Sequence, residues 1–405
     1  SDDDSIAVES GTYAENINMR YKVVKLVGED LSNTIIDGNQ SGSVVTFMSD
    51  AHGALLKNFT IQNGQAVYEP SWVQTYAAAG GGIRTAGSRP TLENILIKNN
   101  TADIGGGIYY HGGNLSSPVR TRFKNVVITQ NSAAKGGGIY CQDDVNEIFS
   151  GINIINNVAT DQNGGGGINS NYNSPITVVN SIITGNQPNQ LAINGDQCSF
   201  TISFSNIEEG QDSIYVSNVE NNQIIWQSGN IDVDPMFVDT VNGDYNLLAD
   251  SRLIDTGHPD STDADGTIAD MGAYYYDQAG QPVRVSNLIT TPSATNIALK
   301  WPANTESDLA GYNVYRSVDP NADFYSMSQY ATSPDSFYVD ESAEDNMTYH
   351  YRVSAVDDGG DEGILAYSDH GRIGNDTTAL SMGADDRWIS VPESRSPVFS
   401  PDQDY

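Results

Sequence analysis

The sequence predicts an all-β protein, a solenoid of stacked parallel coils followed by a β-sandwich, and three observations carry that reading. The first is a phrase repeated four times: Gly80-Gly81-Gly82-Ile83, Gly105-Gly106-Gly107-Ile108, Gly136-Gly137-Gly138-Ile139 and Gly165-Gly166-Gly167-Ile168, the isoleucines 25, 31 and 29 residues apart. The second is an alternating phrase over 92–100, 123–131, 149–157 and 178–186, with an earlier copy at 56–64. Its closing residues Asn100, Asn131, Asn157 and Asn186 are 31, 26 and 29 residues apart. Two markers with matching, slightly elastic spacing define a structural repeat. The third is that each unit holds short alternating runs and no ten-residue stretch with helical apolar spacing.

A unit of two or three short strands cannot bury its own apolar face, so each strand pairs with its equivalent one unit on, about 4.8 Å away. A parallel β-helix of roughly 25–30 residues per coil follows. Ile83, Ile108, Ile139 and Ile168 then form an inward stack, and Thr85, Tyr110, Cys141 and Ser170 point inward two residues on. Arg84, Tyr109, Tyr140 and Asn169 point outward between them. Glycine supplies the positive φ of a sharp corner, and the stacked asparagines trade amide hydrogen bonds along their column.

The 405 residues suit two or three domains. With 19 Lys and Arg against 52 Asp and Glu, the net charge is −33. So acidic a surface excludes nucleic acid and anionic lipid as partners, since phosphate binding needs clustered cations. It keeps the protein in solution and leaves divalent cations open as ligands. Cys141 and Cys198 allow at most one disulfide, and their different corners favour two free buried thiols. No run reaches the ~18 apolar residues of a membrane span, and no signal peptide is visible. The opening Ser1-Asp2-Asp3-Asp4 reads as a processed N-terminus. Six Asn-X-Ser/Thr sequons, Asn58 among them in the repeat column, read as asparagine richness rather than glycosylation.

In chain order, 6–8, 16–19, 22–27, 34–36 and 44–47 are early, less regular coils. Inserts at 66–78 and 111–118 leave the solenoid as loops. After Asn186 the glycine phrase gives way to Leu191-Ala192-Ile193, and 200–205, 214–216 and 224–226 are the last coils. Then come Asp232-Val233-Asp234-Pro235-Met236-Phe237-Val238, Gly243-Asp244-Tyr245-Asn246-Leu247, Ser251-Arg252-Leu253-Ile254-Asp255-Thr256-Gly257 and Asp265-Gly266 through Asp270-Met271-Gly272-Ala273-Tyr274. This ordered series resembles the closing segment of bacterial secreted proteins of the choice-of-anchor, right-handed parallel β-helix type, similar in fold to pectate lyases. The resemblance spans roughly 5–276 and implies an exported protein displayed on, or shed from, a bacterial surface; it implies no activity.

Beyond Val283, 296–301, 311–316 and 348–356 alternate at sandwich-like intervals. This stretch resembles a fibronectin type III domain, with Trp301 matching its core tryptophan and Tyr349 and Tyr351 its sixth strand; such domains space or dock. The domains expected are therefore 1–281, a parallel β-helix; 282–372, a fibronectin III-like sandwich; and 373–405, a polar tail without periodicity.

Candidate sites follow from the columns. A polysaccharide lyase needs a cation or acid pair to neutralise a uronate and a base near the α-carbon; Arg84, Tyr140 and Lys98 are the candidates. Arg84, Tyr109, Tyr140 and Asn169 also form a sugar-stacking platform, against which stands a plain aromatic ladder. Asp143, Asp144 and Glu147 cluster in the turn after Tyr140. Lys57, Glu93 and Lys124 stack as surface ion pairs. Asp263, Asp265 and Asp270 have calcium-loop-like spacing without the EF-hand glutamate, so calcium competes with a hydrogen-bonded turn. His52, His111 and His258 are isolated, and the glycines lack the Lys-Ser/Thr of a phosphate loop.

Solenoids need caps, and strand residues begin by Ile6 with nothing ahead to cover them. Ile6 and Val8 at that end, and Trp388, Ile389 and Val391 in the tail, suggest that the tail of one subunit adds to another, a contact that gives a filament if it does not close. The sequence thus points to an extracellular structural or adhesive protein that associates with itself and touches polysaccharide. A lyase or glycosidase working on the outer face is the alternative.

Overall fold

The computed structural model describes residues 4–20, 22–48, 51–68, 77–112 and 120–373. It divides into two units, 1–276 and 277–405. The first is a parallel β-helix. Its largest sheet takes one strand from each coil in the order Ser5–Val8, Lys25–Gly28, Leu55–Gln62, Thr91–Lys98, Arg122–Thr129, Ile152–Ile155, Ile182–Thr184 and Asn206–Ile207, with Gly11–Ala14 and Thr34–Asp37 beside the path. A second runs from Ile17–Asn18 through Val45–Phe47, Ile83–Ala86, Ile108–His111, Ile139–Gln142, Gly165–Asn171 and Asn189–Ile193 to Ile214–Val216. A third stacks Glu147–Ser150, Pro175–Val179, Ser199–Ser203 and Gln223–Trp226. Among the described residues there is no α-helix.

The register is the one the glycine phrase predicts: Ile83 pairs with Ile108, Ile108 with Ile139, Ile139 with Ile168 and Ile168 with Leu191. These side chains are sealed in one core that runs the length of the coils and includes Phe47, Leu56, Tyr110, Cys141, Phe149 and Phe200. Both cysteines are free and buried.

The asparagine column is a continuous ladder. Asn100 Nδ2 donates to Asn131 Oδ1 at 2.9 Å, Asn131 to Asn157 at 2.9 Å, Asn157 to Asn186 at 3.0 Å and Asn186 to Gln190 Oε1 at 2.7 Å. The other amide hydrogen of each asparagine reaches back to Ile61, Ile97, Ile128 or Ile154 carbonyl at 2.9–3.1 Å. Each Oδ1 also accepts a backbone N–H from the preceding coil, Gly64, Asn100, Asn131 and Asn157 in turn. Every side-chain amide of this ladder is therefore paired, the condition under which buried polarity is tolerated.

A second column bends the long strands of the largest sheet. Asn58, Asn94, Asn125, Gly151 and Asn180 all have φ between 48° and 61°, a left-handed conformation that asparagine and glycine accept more readily than other residues. Asn94 Nδ2 donates to Asn58 Oδ1 at 2.9 Å and Asn58 to Gly28 carbonyl at 3.0 Å, so the Asn58 side chain is engaged within the fold. Beside it, Glu93 accepts from Lys57 at 3.0 Å and Lys124 at 3.3 Å. Such part-exposed pairs contribute about 1 kcal/mol or less.

The second unit is a sandwich of two antiparallel sheets. One holds Ile289–Pro292, Ile297–Lys300 and Phe337–Asp340; the other holds Ala331–Ser333, Leu309–Ser317, Thr348–Asp357 and Asp369–Arg372. Trp301, 2% exposed, meets Tyr312 edge-on at 5.1 Å inside it. Tyr351 on the sixth strand is fully buried and donates to Asp340 at 2.6 Å. Arg316 donates to the same carboxylate at 2.7 Å and lies over the Tyr330 and Tyr349 rings.

Candidate functional site

The column proposed as a sugar platform is in register but covered. Arg84, Tyr109, Tyr140 and Asn169 are vertical neighbours that point away from the central core, yet they are only 0–6% exposed. The expectation of an open outer face is corrected here, and the glycine turns supply the reason. Gly80, Gly105 and Gly136 have φ of 64–72°. A Cβ on Gly80 would lie 2.9 Å from Arg84, on Gly105 3.0 Å from Tyr109 Cα and on Gly136 2.8 Å from Tyr140. Each turn thus folds back over the residue four positions later, and Ala79 and Ile104 complete a small apolar cluster on Tyr109 and Tyr140. The two rings stack at 6.1 Å. Asn171 Nδ2 donates to the Tyr140 hydroxyl at 2.6 Å, and burial raises that phenol far above its ordinary range. A phenol so placed makes a poor base at neutral pH. Lys98 stands on the largest sheet, in register with Gln62 and Thr129, while Arg84 and Tyr140 stand on the second. The three residues of the lyase reading do not meet on one face.

Glu147 does not join Asp143 and Asp144 in a surface turn. It is fully buried, accepts from Thr121 N–H at 3.0 Å, and forms an ion pair with Arg89. Burial raises its carboxyl to about 7 against the pull of Arg89 and of the Thr121 N–H. The Tyr110 hydroxyl and Thr121 Oγ1 nearby are buried without a hydrogen-bond partner. Burying both charges is tolerated because each has the other; removing one would strand its partner.

Residues 232–276 leave the coils and return along the outer face of the largest sheet as a strap. Tyr245 and Ala273 bury Leu96, Val127 and Ile155 from outside. Asn153 Oδ1 accepts from Ala273 N–H at 3.0 Å, and Asn180 accepts from His258 N–H at 2.7 Å through Oδ1 and from Gly272 N–H at 2.8 Å through its carbonyl. The series that carried the sequence resemblance is this strap. Where it crosses the first coils it walls a groove of about 480 Å³ with Glu29, Asp30, Asn94, Asn242, Asp244 and Tyr274 on its sides.

Within the strap, Asp263 accepts from Asp270 N–H at 2.8 Å, Asp270 from Asp255 and Tyr276 N–H at 2.7 Å each, and Asp265 from Thr267. These carboxylates close turns, and among the described residues no three His, Cys, Asp or Glu side chains are grouped to hold a metal ion. Ile6 is half exposed on the edge strand Ser5–Val8, and Val8 packs partly against the core. Trp388, Ile389 and Val391 lie outside the described residues. No helix among the described residues is long and apolar enough to cross a membrane.

Taken together, the chain is an all-β protein of parallel coils joined to a sandwich of the fibronectin type III kind. No family model matches the chain, and no curated protein matches it. Among solved structures it is similar to an Fn3-like protein from Clostridium thermocellum, 22% identical over 24% of this chain and 100% of that one, TM-score 0.21. It is also similar to a β-1,2-glucanase from Parabacteroides distasonis, 20% identical over 28% of this chain and 15% of that one, TM-score 0.21. The Clostridium perfringens spore cortex lytic enzyme SleM is 18% identical over 44% of this chain and 48% of that one, TM-score 0.19.

Proposed function

We propose that the chain is a structural and adhesive protein of the bacterial exterior, a scaffold that contacts polysaccharide rather than a lyase that cleaves it. The observation that carries this reading is the sealed column. The residues best suited to bind and deprotonate a uronate, Arg84 and Tyr140, serve as packing under the glycine turns, and the asparagine ladder makes the coils a stiff support. Export to the cell surface rests on the resemblance of 232–276 to choice-of-anchor proteins. Self-association belongs to the same proposal: Ser5–Val8 is an edge strand with Ile6 half exposed, a place where another strand can add.

Two experiments test it. The full chain is incubated with uronate polymers, with and without calcium, and followed in the near ultraviolet for unsaturated sugars; none is expected. Product that vanishes in Arg84→Ala, with the variant's melting temperature unchanged, would overturn the reading. Negative-stain imaging of the full chain beside a deletion of 373–405 tests assembly, and monomers in both samples remove the self-association arm.

A further inference from the structure

The groove between the strap and the first coils is where the charge of this protein becomes specific. Its volume, about 480 Å³, falls in the ~300–1,000 Å³ range of small-ligand clefts. Glu29, Asp30 and Asp244 face it, and none of them forms an ion pair among the described residues. Ser10 donates to Glu29 through N–H at 3.0 Å and Oγ at 2.9 Å. Ser32 N–H donates to Asp30 at 2.7 Å, and Asn33 adds a second bond. Hydrogen bonds from these neighbours hold both carboxyls below their ordinary range, so they remain charged in mild acid. Asp244 is fixed by Asn246, which donates to its Oδ1 through N–H at 3.0 Å and Nδ2 at 2.7 Å. The groove is more than an acidic patch, because a half-buried aromatic ring and amides share its wall. The Tyr274 hydroxyl meets no hydrogen-bond partner among the described residues, and burial followed by the Asp244 charge pushes it up to about 12. It therefore stays a donor at any physiological pH. Asn94 and Asn242 add amides that hydrogen-bond hydroxyl groups.

We propose that this groove binds a glycan carrying free amino groups, a glucosamine-type chain whose ammonium meets Asp244, Glu29 and Asp30 while a sugar face lies on Tyr274. The inference rests on the polysaccharide contact proposed above and names its place and charge. Carboxylates without cationic partners repel uronates and attract ammonium, an aromatic face attracts cations and the apolar faces of sugars, and the net charge of −33 steers a cationic polymer toward the protein.

The test is calorimetric titration of the full chain with glucosamine oligomers, fully N-acetylated oligomers of the same length, and galacturonate oligomers. The glucosamine oligomer is expected to bind at least tenfold more tightly than either. Tyr274→Ala should weaken it about tenfold, Tyr274→Phe less, and Asp244→Asn about threefold with a shallower salt dependence. Equal affinity for N-acetylated and free-amine oligomers would overturn the charge assignment. Glucosamine binding untouched by Tyr274→Ala and Asp244→Asn would mean diffuse attraction to an acidic surface and would overturn the groove, while leaving polysaccharide contact standing. If no polysaccharide in a pull-down panel retains the wild-type chain, the adhesive reading falls with it.

Discussion

Asn131→Ala should unfold the coils more easily than any single surface change. The side chain is 1% exposed and takes part in four hydrogen bonds. Its Nδ2 donates to Ile97 carbonyl at 3.0 Å and Asn157 Oδ1 at 2.9 Å, and its Oδ1 accepts from Asn100 N–H at 3.0 Å and Asn100 Nδ2 at 2.9 Å. Truncation leaves Asn157 Oδ1 the Asn131 N–H and leaves Asn100 Nδ2 the Ile61 carbonyl. The Asn100 N–H loses its ladder acceptor, and the Ile97 carbonyl loses the amide. At about 1–3 kcal/mol for each buried group stranded, these two groups give a loss of about 2–6 kcal/mol. Urea unfolding followed by circular dichroism measures it, with Asn163→Ala on an exposed turn as the control, expected within about 0.5 kcal/mol of the parent. Because stability in stacked coils passes through nearest neighbours, the Asn131→Ala transition should also broaden. If both variants shift the midpoint equally, the ladder contributes nothing and the reasoning is wrong.

Gly272→Ala should detach the strap: φ is +113°, and a Cβ would lie 2.6 Å from Ile182 Cδ1 and 2.8 Å from Asn153 Oδ1. Faster hydrogen exchange at the Ala273 and His258 amides, with the coils still protected, is the expected signature. The strap should also loosen as pH rises. Burial lifts Asp263 to about 6 and Asp270 to about 7, so the folded strap binds protons that the unfolded chain has released. Its stability is full below the unfolded value near 3.8 and is lost as pH passes through 6 to 7. Exchange at Gly272, corrected for the intrinsic rate, should accelerate between pH 5 and 8, and a flat profile would contradict the assignment. In the sandwich, Tyr351→Phe deletes the 2.6 Å bond to buried Asp340 and should lower stability by about 1.5–3 kcal/mol, the range for hydrogen bonds to charged groups. Arg84→Ala should lower the melting temperature, because the guanidinium is packed in a covered column; an unchanged melting curve would reopen that face as a site.

The coils were legible because their signal is periodic. Each inward isoleucine and each ladder asparagine recurs at its own position, and Ile108 does sit above Ile139. The sandwich was legible from Trp301 and the tyrosines of its sixth strand. Alternation, however, reports only which side of a strand a residue takes, not whether that side reaches water. Tyr109 and Tyr140 are outward and buried because the backbone of the glycine turns passes over them. The strap has no period, so its contacts with Thr129, Asn153 and Asn180 link residues 78 to 120 positions apart that no local pattern pairs. Glu147 did leave a trace. Its register partner is Ile176, which continues to Phe200 and Ile224, so a carboxylate stands in an otherwise apolar column. Aligning the third strand of each coil would have shown that it turns inward and needs a cation. The groove has no such trace, since Asn94, Asp244 and Tyr274 are brought together only by the strap.

The asparagine ladder also has a direction. One side-chain amide hydrogen of each asparagine is passed forward along it, from Asn100 to Asn131, Asn157, Asn186 and Gln190, and Gln190 Nε2 finally donates to Glu208 at 2.8 Å. These forward bonds run head to tail, and the Glu208 carboxyl receives the last of them. A carboxyl has no amide N–H to pass on, and Glu208 takes the forward bond as an acceptor, so the amide relay ends there. By this logic a new coil that brings its own amide fits anywhere between Asn100 and Asn186, whereas an aspartate introduced at any of those rungs would break the relay for the coils beyond it.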